Sequence, residues 1–350
     1  MEKRVMITGH RGYIGSVMTP MFLEAGYSVA GLDSGYYDEC TLVPDSAEVP
    51  SLRKDIRDLN AQDLKNFHAV IHLAALSNDP LGDLDSGWTE EINFRASVRL
   101  AELAKAAGVR RFILSSSCIM YGMSEANVVS EDSPIDPKTE YARSKIKAER
   151  AISRLASDEF SPTFLRNGTV YGISPRMRFD TVFNNLIGSA VATGKIIIYS
   201  NGKPWRPVVH VQDLSRAFLK VLEAPLDDVH NEAFNNGVDH LNHQIIELGE
   251  VAVRTVPGCK LEVLAQPSVD QRTYKTDFRK FARVFPDFDF RWTIEEGAKE
   301  LHDALKAIGL TNQDFVDRRF TRLKWLSYLL DTGKLDNTLR WRVRECGVGS

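Results

Sequence analysis

Residues 4–33 constrain the fold more than any other stretch of the chain. Arg4 to Thr8 is a short apolar run, and Gly9-His10-Arg11-Gly12-Tyr13-Ile14-Gly15 follows at once. Ser16 to Ala25 has the pattern of a helix that stops at Gly26, and Tyr27 to Leu32 is a second apolar run ending in Asp33. Strand, glycine-rich turn, helix, strand and acidic residue within about 30 residues is the β-α-β order of a dinucleotide site. Glycines at 9, 12 and 15 permit a tight turn and a close approach of backbone to a pyrophosphate. The loop from Gly9 through Arg11, Gly12, Tyr13 and Ile14 to Gly15 is therefore the expected phosphate cradle. The N-terminus of the helix that follows adds unsatisfied N–H groups and a partial positive charge. Asp33 is placed to accept hydrogen bonds from the adenosine ribose. No basic residue immediately follows it, and a carboxylate there repels a 2′-phosphate, so the reading is NAD rather than NADP.

At 350 residues the chain suffices for one large domain or two smaller ones, and a 43% apolar content describes a globular protein with a sizeable core. A formal charge of −3 gives no electrostatic case for nucleic acid or an anionic membrane. No apolar run approaches the roughly 20 residues that span a bilayer, and MEKRVMITGH leads straight into a strand without a signal-peptide core. The four cysteines, Cys40, Cys118, Cys259 and Cys346, have neither metal-ligand spacing nor a disulfide pattern. No metal is expected, and the default compartment is a reducing cytoplasm.

Beyond Asp33, Asp55-Ile56-Arg57-Asp58 precedes a helix. Asp55 and Ile56 either touch adenine or belong to an N-cap region, with Asp58 capping. Ala69 to Ala75 is an apolar strand whose end, Leu73-Ala74-Ala75, is small enough for a cofactor to pass closely. Glu91 to Ala107 has helical period, with Asn93 near its start. Val109 to Leu114 is a strand running into Ser115-Ser116-Ser117-Cys118-Ile119-Met120-Tyr121-Gly122. Serines at the carboxyl edge of such a strand, Ser115 and Ser117 among them, lie where doubly wound sheets place ligands. Farther on, Tyr141 and Lys145 are four residues apart, on one helical face. A phenol titrates near about pH 10, too high for a base at neutrality, and a nearby ammonium or an oxidised nicotinamide favours the phenolate. Alone, that spacing is also found on many solvated helices.

TGHRGYIGS, Asp33, SSSCIMYG and YARSK, in this order and at these intervals, resemble the extended short-chain dehydrogenase/reductases, specifically their NAD-dependent sugar-nucleotide epimerase/dehydratase branch. The resemblance covers at least residues 4–280. It implies a Rossmann-type α/β fold, a doubly wound parallel sheet with a smaller C-terminal substrate-binding region, and NAD as cofactor. In such enzymes the residues matching Ser117 and Tyr141 bind the reacting sugar hydroxyl. The lysine matching Lys145 holds the nicotinamide ribose and lowers the tyrosine's pKa, and the asparagine matching Asn93 supports the cofactor site. The 4,6-dehydratases of this branch carry Asp-Glu directly after the Ser/Thr, whereas Cys118 and Ile119 stand here. Ile119 cannot remove a proton. Cys118 is a candidate for proton transfer at carbon, since a related branch uses a cysteine one position further along, but a buried thiol filling space is the more common fate of a free cysteine.

In the second half, Phe164 to Gly172 resembles the strand leading into the substrate-binding half, with Thr169 where many relatives have an asparagine that contacts the substrate diphosphate. Arg176 and Arg178 lie in a loop, facing either an anionic substrate or solvent. The segment WRPVVHVQD places Arg206 as the leading candidate for the substrate diphosphate, because a guanidinium fork donates two parallel hydrogen bonds to phosphate oxygens. His210 in the same segment reads as structural. Arg272, in DQRTYKTD, resembles a second phosphate-binding arginine of these enzymes. Beyond Gly309 the resemblance fades. Apolar residues at helical spacing between Leu310 and Trp341 predict a terminal helix or helix pair, and the basic group Arg318, Arg319, Arg322 and Lys324 reads as a solvated face.

The expected organisation is an NAD-binding Rossmann domain over 1–165, to which 205–240 returns, a mainly substrate-binding region over 166–308, and a helical C-terminal extension over 309–350. The expected function is a sugar-nucleotide epimerase acting by transient oxidation of a sugar hydroxyl. Its partner is a nucleotide-diphosphate sugar, and the resemblance implies a homodimer. The alternatives are a dehydratase or oxidoreductase that uses Cys118, a keto-sugar reductase, and a non-catalytic NAD-binding protein.

Overall fold

A computed structural model describes residues 3–45, 47–77, 84–123, 128–266 and 272–342. Twelve strands appear among them: β1 (Arg4–Thr8), β2 (Ser28–Asp33), β3 (Ser51–Arg53), β4 (Ala69–His72), β5 (Arg111–Ser117), β6 (Ser161–Asn167), β7 (Thr169–Tyr171), β8 (Lys195–Ile198), β9 (Trp205–His210), β10 (Ala233–Asn236), β11 (Asn242–Gln244) and β12 (Lys260–Val263). Seven form one sheet in the order β3-β2-β1-β4-β5-β6-β10, every neighbouring pair parallel. The order reverses between β1 and β4, and the crevice beyond the carboxyl ends of the strands at that point is where such sheets bind ligands. The central strands are buried on both faces, which accounts for their continuous apolar runs.

Local signals fix the main helices. The helix Gly15–Glu24 starts as the glycine-rich loop ends. Thr139 caps Glu140–Ser153 by accepting from the Ala142 N–H, and this helix carries Tyr141 and Lys145. The helix expected from Glu91 starts earlier, with Ser86–Thr89 capped by Asp85. It passes through a wider π-helical turn at Glu90–Arg95 and continues as Ala96–Ala106. Such turns often mark functional positions, and this one holds Asn93.

A second lobe consists of two small sheets, β11-β9-β7 and β12-β8, with the helices Val182–Thr193, Ile245–Thr255 and Ile294–Ala307. Its core joins Phe183, Ile187, Leu248, Ala252, Ala298 and Leu301. The return to the large sheet is shorter than 205–240. β9 remains in the second lobe, while the helix Val211–Glu223 buries Leu214, Phe218 and Val221 against Val5, Ile7 and Phe22, and β10 pairs with β6.

The C-terminal segment is helical at Asn312–Phe315 and Arg322–Asp331, but it is not peripheral. Trp325, Leu326, Leu329, Leu335 and Leu339 belong to the same core as Met6, Leu32, Val70 and Leu100 of the Rossmann half. Residues 343–350, Cys346 included, lie outside the described residues. Among the described residues no helix is long and apolar enough to cross a membrane.

Candidate active site

A cleft of about 610 Å³ runs along the carboxyl ends of β1, β2, β4 and β5 and under the second lobe. On the Rossmann side its wall contains Gly9, Gly12, Tyr13, Ile14, Gly15, Asp33, Asp55, Ile56, Leu73, Ala74, Ala75, Ser115, Ser117, Tyr141 and Lys145; Thr169, Arg206 and Arg272 line the opposite side. Most of the residues singled out in the sequence therefore meet in one space.

The glycine-rich end is built from backbone. Gly9 has φ +73°, and a Cβ there would lie 2.9 Å from the Ala74 nitrogen. Only glycine lets the loop after β1 press against the end of β4. Beside it, Asp33 closes β2, its Oδ1 accepting the Gly35 N–H at 2.8 Å and its Oδ2 the Arg11 N–H at 3.1 Å. Burial pushes this carboxyl above its ordinary range, against the pull of those two donors. Further hydroxyl donors from a ribose fit its remaining lone pairs. Asp55 also caps the short turn Ile56–Asp58, accepting from the Arg57 N–H and side chain, so the cap is Asp55 and not the expected Asp58.

The other end of the cleft is set by β5 and the helix Glu140–Ser153. Lys145 is 3% exposed, and its Nζ donates to the Ser115 carbonyl at 2.8 Å. The same nitrogen lies 5.7 Å from the centre of the Tyr141 ring. Burial pushes the ammonium down to about 8, opposed by Glu149. Ser117 Oγ accepts the Ile119 N–H at 3.3 Å, which fixes the start of the turn Cys118–Tyr121. Asn167 ties β6 to the same edge, its Nδ2 donating to Ser115 Oγ at 3.0 Å and to the Ser116 carbonyl at 3.1 Å.

On the Rossmann side, three of the residues singled out are not on the wall. Cys118 points into the core. It is fully buried, its thiol donates to the Arg166 carbonyl at 3.1 Å, and burial pushes its pKa up. Neighbouring residues at the end of a strand face opposite ways, so Ser117 and Ile119 reach the cleft and Cys118 does not. Asn93 stands behind the wall, where its Oδ1 accepts from Leu76 N at 2.8 Å and its Nδ2 donates to Leu76 O at 3.0 Å. It braces the segment after β4 rather than facing the cleft. The Arg11 side chain turns outward to Asp38 at 3.0 Å.

On the opposite side of the cleft, Arg206 is buried, and its Nη1 donates to the Arg272 carbonyl. Two segments far apart in sequence thus meet beside Tyr199, Ser200 and Tyr274. Arg176 is buried against Asp45 at 2.8 Å, away from the cleft wall. Arg178 does line the cleft, paired with Asp180 at 2.8 Å and donating to Ser77 Oγ at 3.1 Å. His210 is structural: it caps the helix Val211–Glu223, lies 2.8 Å from Glu300 and stacks on Trp292 at 3.9 Å. Sequence reasoning missed Tyr36, Tyr37, Ser77 and Arg322, all of which line the cleft. For Arg322 a signal existed. It is the first residue of the helix Arg322–Asp331, where the helix dipole disfavours a cation.

The sequence model of the NAD dependent epimerase/dehydratase family matches residues 5–237. The chain belongs to that family. It is thus an enzyme of NAD-dependent epimerase/dehydratase type. Its relatives include the UDP-glucose 4-epimerase of Bacillus subtilis (strain 168), 27% identical over 67% of this chain and 76% of that protein. The UDP-glucose 4-epimerase of Yersinia pestis is 30% identical over 69% of this chain and 80% of its own length. Among solved structures, MoeE5 in complex with UDP-glucuronic acid and NAD superimposes with a TM-score of 0.75 at 28% identity, covering 87% of this chain and 99% of MoeE5. The glycine-rich loop, Asp33 and the backbone-lined floor of this family member fit NAD.

Proposed function

We propose that the protein is a sugar-nucleotide epimerase acting on a UDP-sugar by transient oxidation of a ring hydroxyl. The observation that carries this reading is the meeting of Ser117, Tyr141 and Lys145 in the cleft that also holds the glycine-rich loop. Bound NAD supplies the hydride acceptor for the oxidation and the hydride donor for the return. Tyr141 takes the hydroxyl proton as the carbon is oxidised and gives it back when the carbon is reduced from the opposite face. Ser117 holds the same hydroxyl. Lys145 favours the phenolate through its charge. Arg206 and Arg272 grip the substrate diphosphate, with Thr169 nearby. General-base help of this kind is worth about 10²- to 10⁴-fold, and alignment of the reacting groups about 7–11 kcal/mol in favourable cases.

The residues after Ser117 favour epimerisation over elimination. Ile119 is a hydrocarbon on the cleft wall, and the Cys118 thiol is engaged with a core carbonyl. Asp33 disfavours an NADPH-driven keto-sugar reductase. Cys40, Cys118 and Cys259 are free thiols, which suits a reducing cytoplasm, and the homodimer that the resemblance implies is measured by light scattering. The reaction is tested by incubating the protein with UDP-glucose and UDP-glucuronic acid in D₂O and following both by NMR. Formation of the 4-epimer without deuterium at carbon is expected. Loss of water from the sugar, or deuterium at the inverted carbon, overturns the reading.

A further inference from the structure

Arg322 is the least explained charge in the cleft. It is 3% exposed and lies 146 residues along the chain from Arg176, whose carbonyl accepts from its Nη2 at 2.9 Å. Its guanidinium carbon stands 4.0 Å over the Tyr37 ring. Its backbone N–H donates to Asp180 Oδ2 at 3.1 Å, while the Asp180 carboxylate is paired with the Arg178 side chain. Among the described residues no carboxylate pairs with the Arg322 guanidinium, and its buried Nη1 has no hydrogen-bond partner. The nearest anion, Asp180, is shared with Arg178, and a buried cation that is incompletely paired costs several kcal/mol. The cost is compounded by the helix terminus on which Arg322 sits.

We propose that Arg322 is a binding residue for the diphosphate of NAD, delivered to the cofactor by the C-terminal segment. This inference rests on the family's NAD dependence and not on the epimerase reading. The position of the residue selects the ligand. Tyr37 follows Asp33 on the β2 side of the cleft, and Arg178 reaches Ser77 beyond β4, so this guanidinium pair flanks the ground between the two walls of the nucleotide site. Arg206 and Arg272 mark the other nucleotide, beside Tyr199 and Tyr274. A planar fork with a spare N–H is suited to a phosphate oxygen opposite the glycine-rich loop.

The rest of the segment holds the cofactor-side loop in place. Trp325 Nε1 donates to the Tyr36 carbonyl and Trp341 Nε1 to the Ser34 carbonyl, each at 2.6 Å. Tyr36 Oη donates to the Leu339 carbonyl, and Trp88 Nε1 to that of Asn337 at 2.8 Å. The clasp lies beyond residue 237, where the family match ends.

The test is calorimetric binding of NAD, ADP, adenosine and UDP to Arg322→Met, with NAD content as purified measured by mass spectrometry. Expected are affinities for NAD and ADP lower by about 10- to 100-fold, with adenosine unchanged. UDP affinity of the NAD-saturated protein stays within twofold of the unmodified chain, and the purified variant carries less NAD. Unchanged ADP binding, or a loss seen with UDP instead, overturns the proposal. An equal loss for adenosine and ADP also overturns it, because that pattern reports a distorted pocket. Should Arg322→Met not fold, Arg322→Lys carries the same comparison. It keeps the charge and removes the fork, so ADP must still weaken relative to adenosine.

Discussion

Lys145 reaches Ser115: its ammonium is held 2.8 Å from that carbonyl, at the edge of the central sheet and in a fully buried place. The contact fixes the lysine beside Tyr141 while withdrawing it from water, so function and stability pull in opposite directions. The lysine's folded-state pKa of about 8 lies below its ordinary 10.5. The unfolded chain binds more protons between those values, so stability rises with pH through that window and the charge is fully penalised at pH 7. At about 1.4 kcal/mol per unit, Lys145→Met in the NAD-free protein is expected to gain up to about 3 kcal/mol at pH 7. The gain fades as the pH approaches 10.5. Activity should fall at least about 100-fold. Denaturant melts at pH 7 and pH 10 read the first effect, and steady-state rates the second.

Tyr141→Phe keeps the ring and removes the acid–base group. We expect kcat to fall by about 10²- to 10⁴-fold, with NAD affinity retained within about threefold, a binding change of under 1 kcal/mol. Full activity of this variant would refute the mechanism.

Cys118→Ala tests the alternative chemistry. Because the thiol donates into the core, the substitution should cost about 1–2 kcal/mol of stability and leave kcat within about threefold at temperatures where the protein is folded. A loss beyond about 100-fold at unchanged stability would restore the cysteine as an acid or base.

His72 predicts the acid limit. It is fully buried between Thr8 Oγ1 at 2.7 Å and Ser97 Oγ at 2.8 Å, and burial pushes its pKa down to about 3 from 6.5. Stability from the neutral ring is complete above pH 6.5 and is lost as pH falls toward 3, because only the unfolded chain protonates in that range. The integrated effect approaches about 4 kcal/mol at the low end. Urea midpoints followed from pH 7 to pH 4 should fall less steeply in His72→Gln than in the unmodified chain.

Asn93→Ala removes both bonds to Leu76. A loss of about 1–3 kcal/mol is expected from the unsatisfied backbone groups. NAD binding should weaken without a change in kcat at saturating cofactor, which separates bracing from direct contact. Calorimetry and rates at high NAD measure the two.

What was legible in the sequence was what is local. The turn at Gly9–Gly15, the strand ending in Asp33 and the one-turn spacing of Tyr141 and Lys145 are encoded within a few residues of each other, so their geometry follows from period and backbone freedom. Facing was harder. Cys118 is adjacent to Ser117, yet a strand end turns neighbours to opposite sides, and only one of them meets the cleft. Arg322 was the hardest, since three nearby basic residues made it look like part of a solvated face. Its burial depends on Tyr37, Arg176 and Asp180, none of which is near it in sequence.

The clasp also imposes an order on maturation. During synthesis the seven strands of the large sheet are complete once Asn236 has emerged, and the nucleotide wall between β1 and β5 can then assemble. Arg322 and the tryptophans that pin the loop after β2 emerge at least 86 residues later. A nascent chain therefore passes through a stage with an open groove at Gly9–Gly15 before residues 322–341 dock beside it.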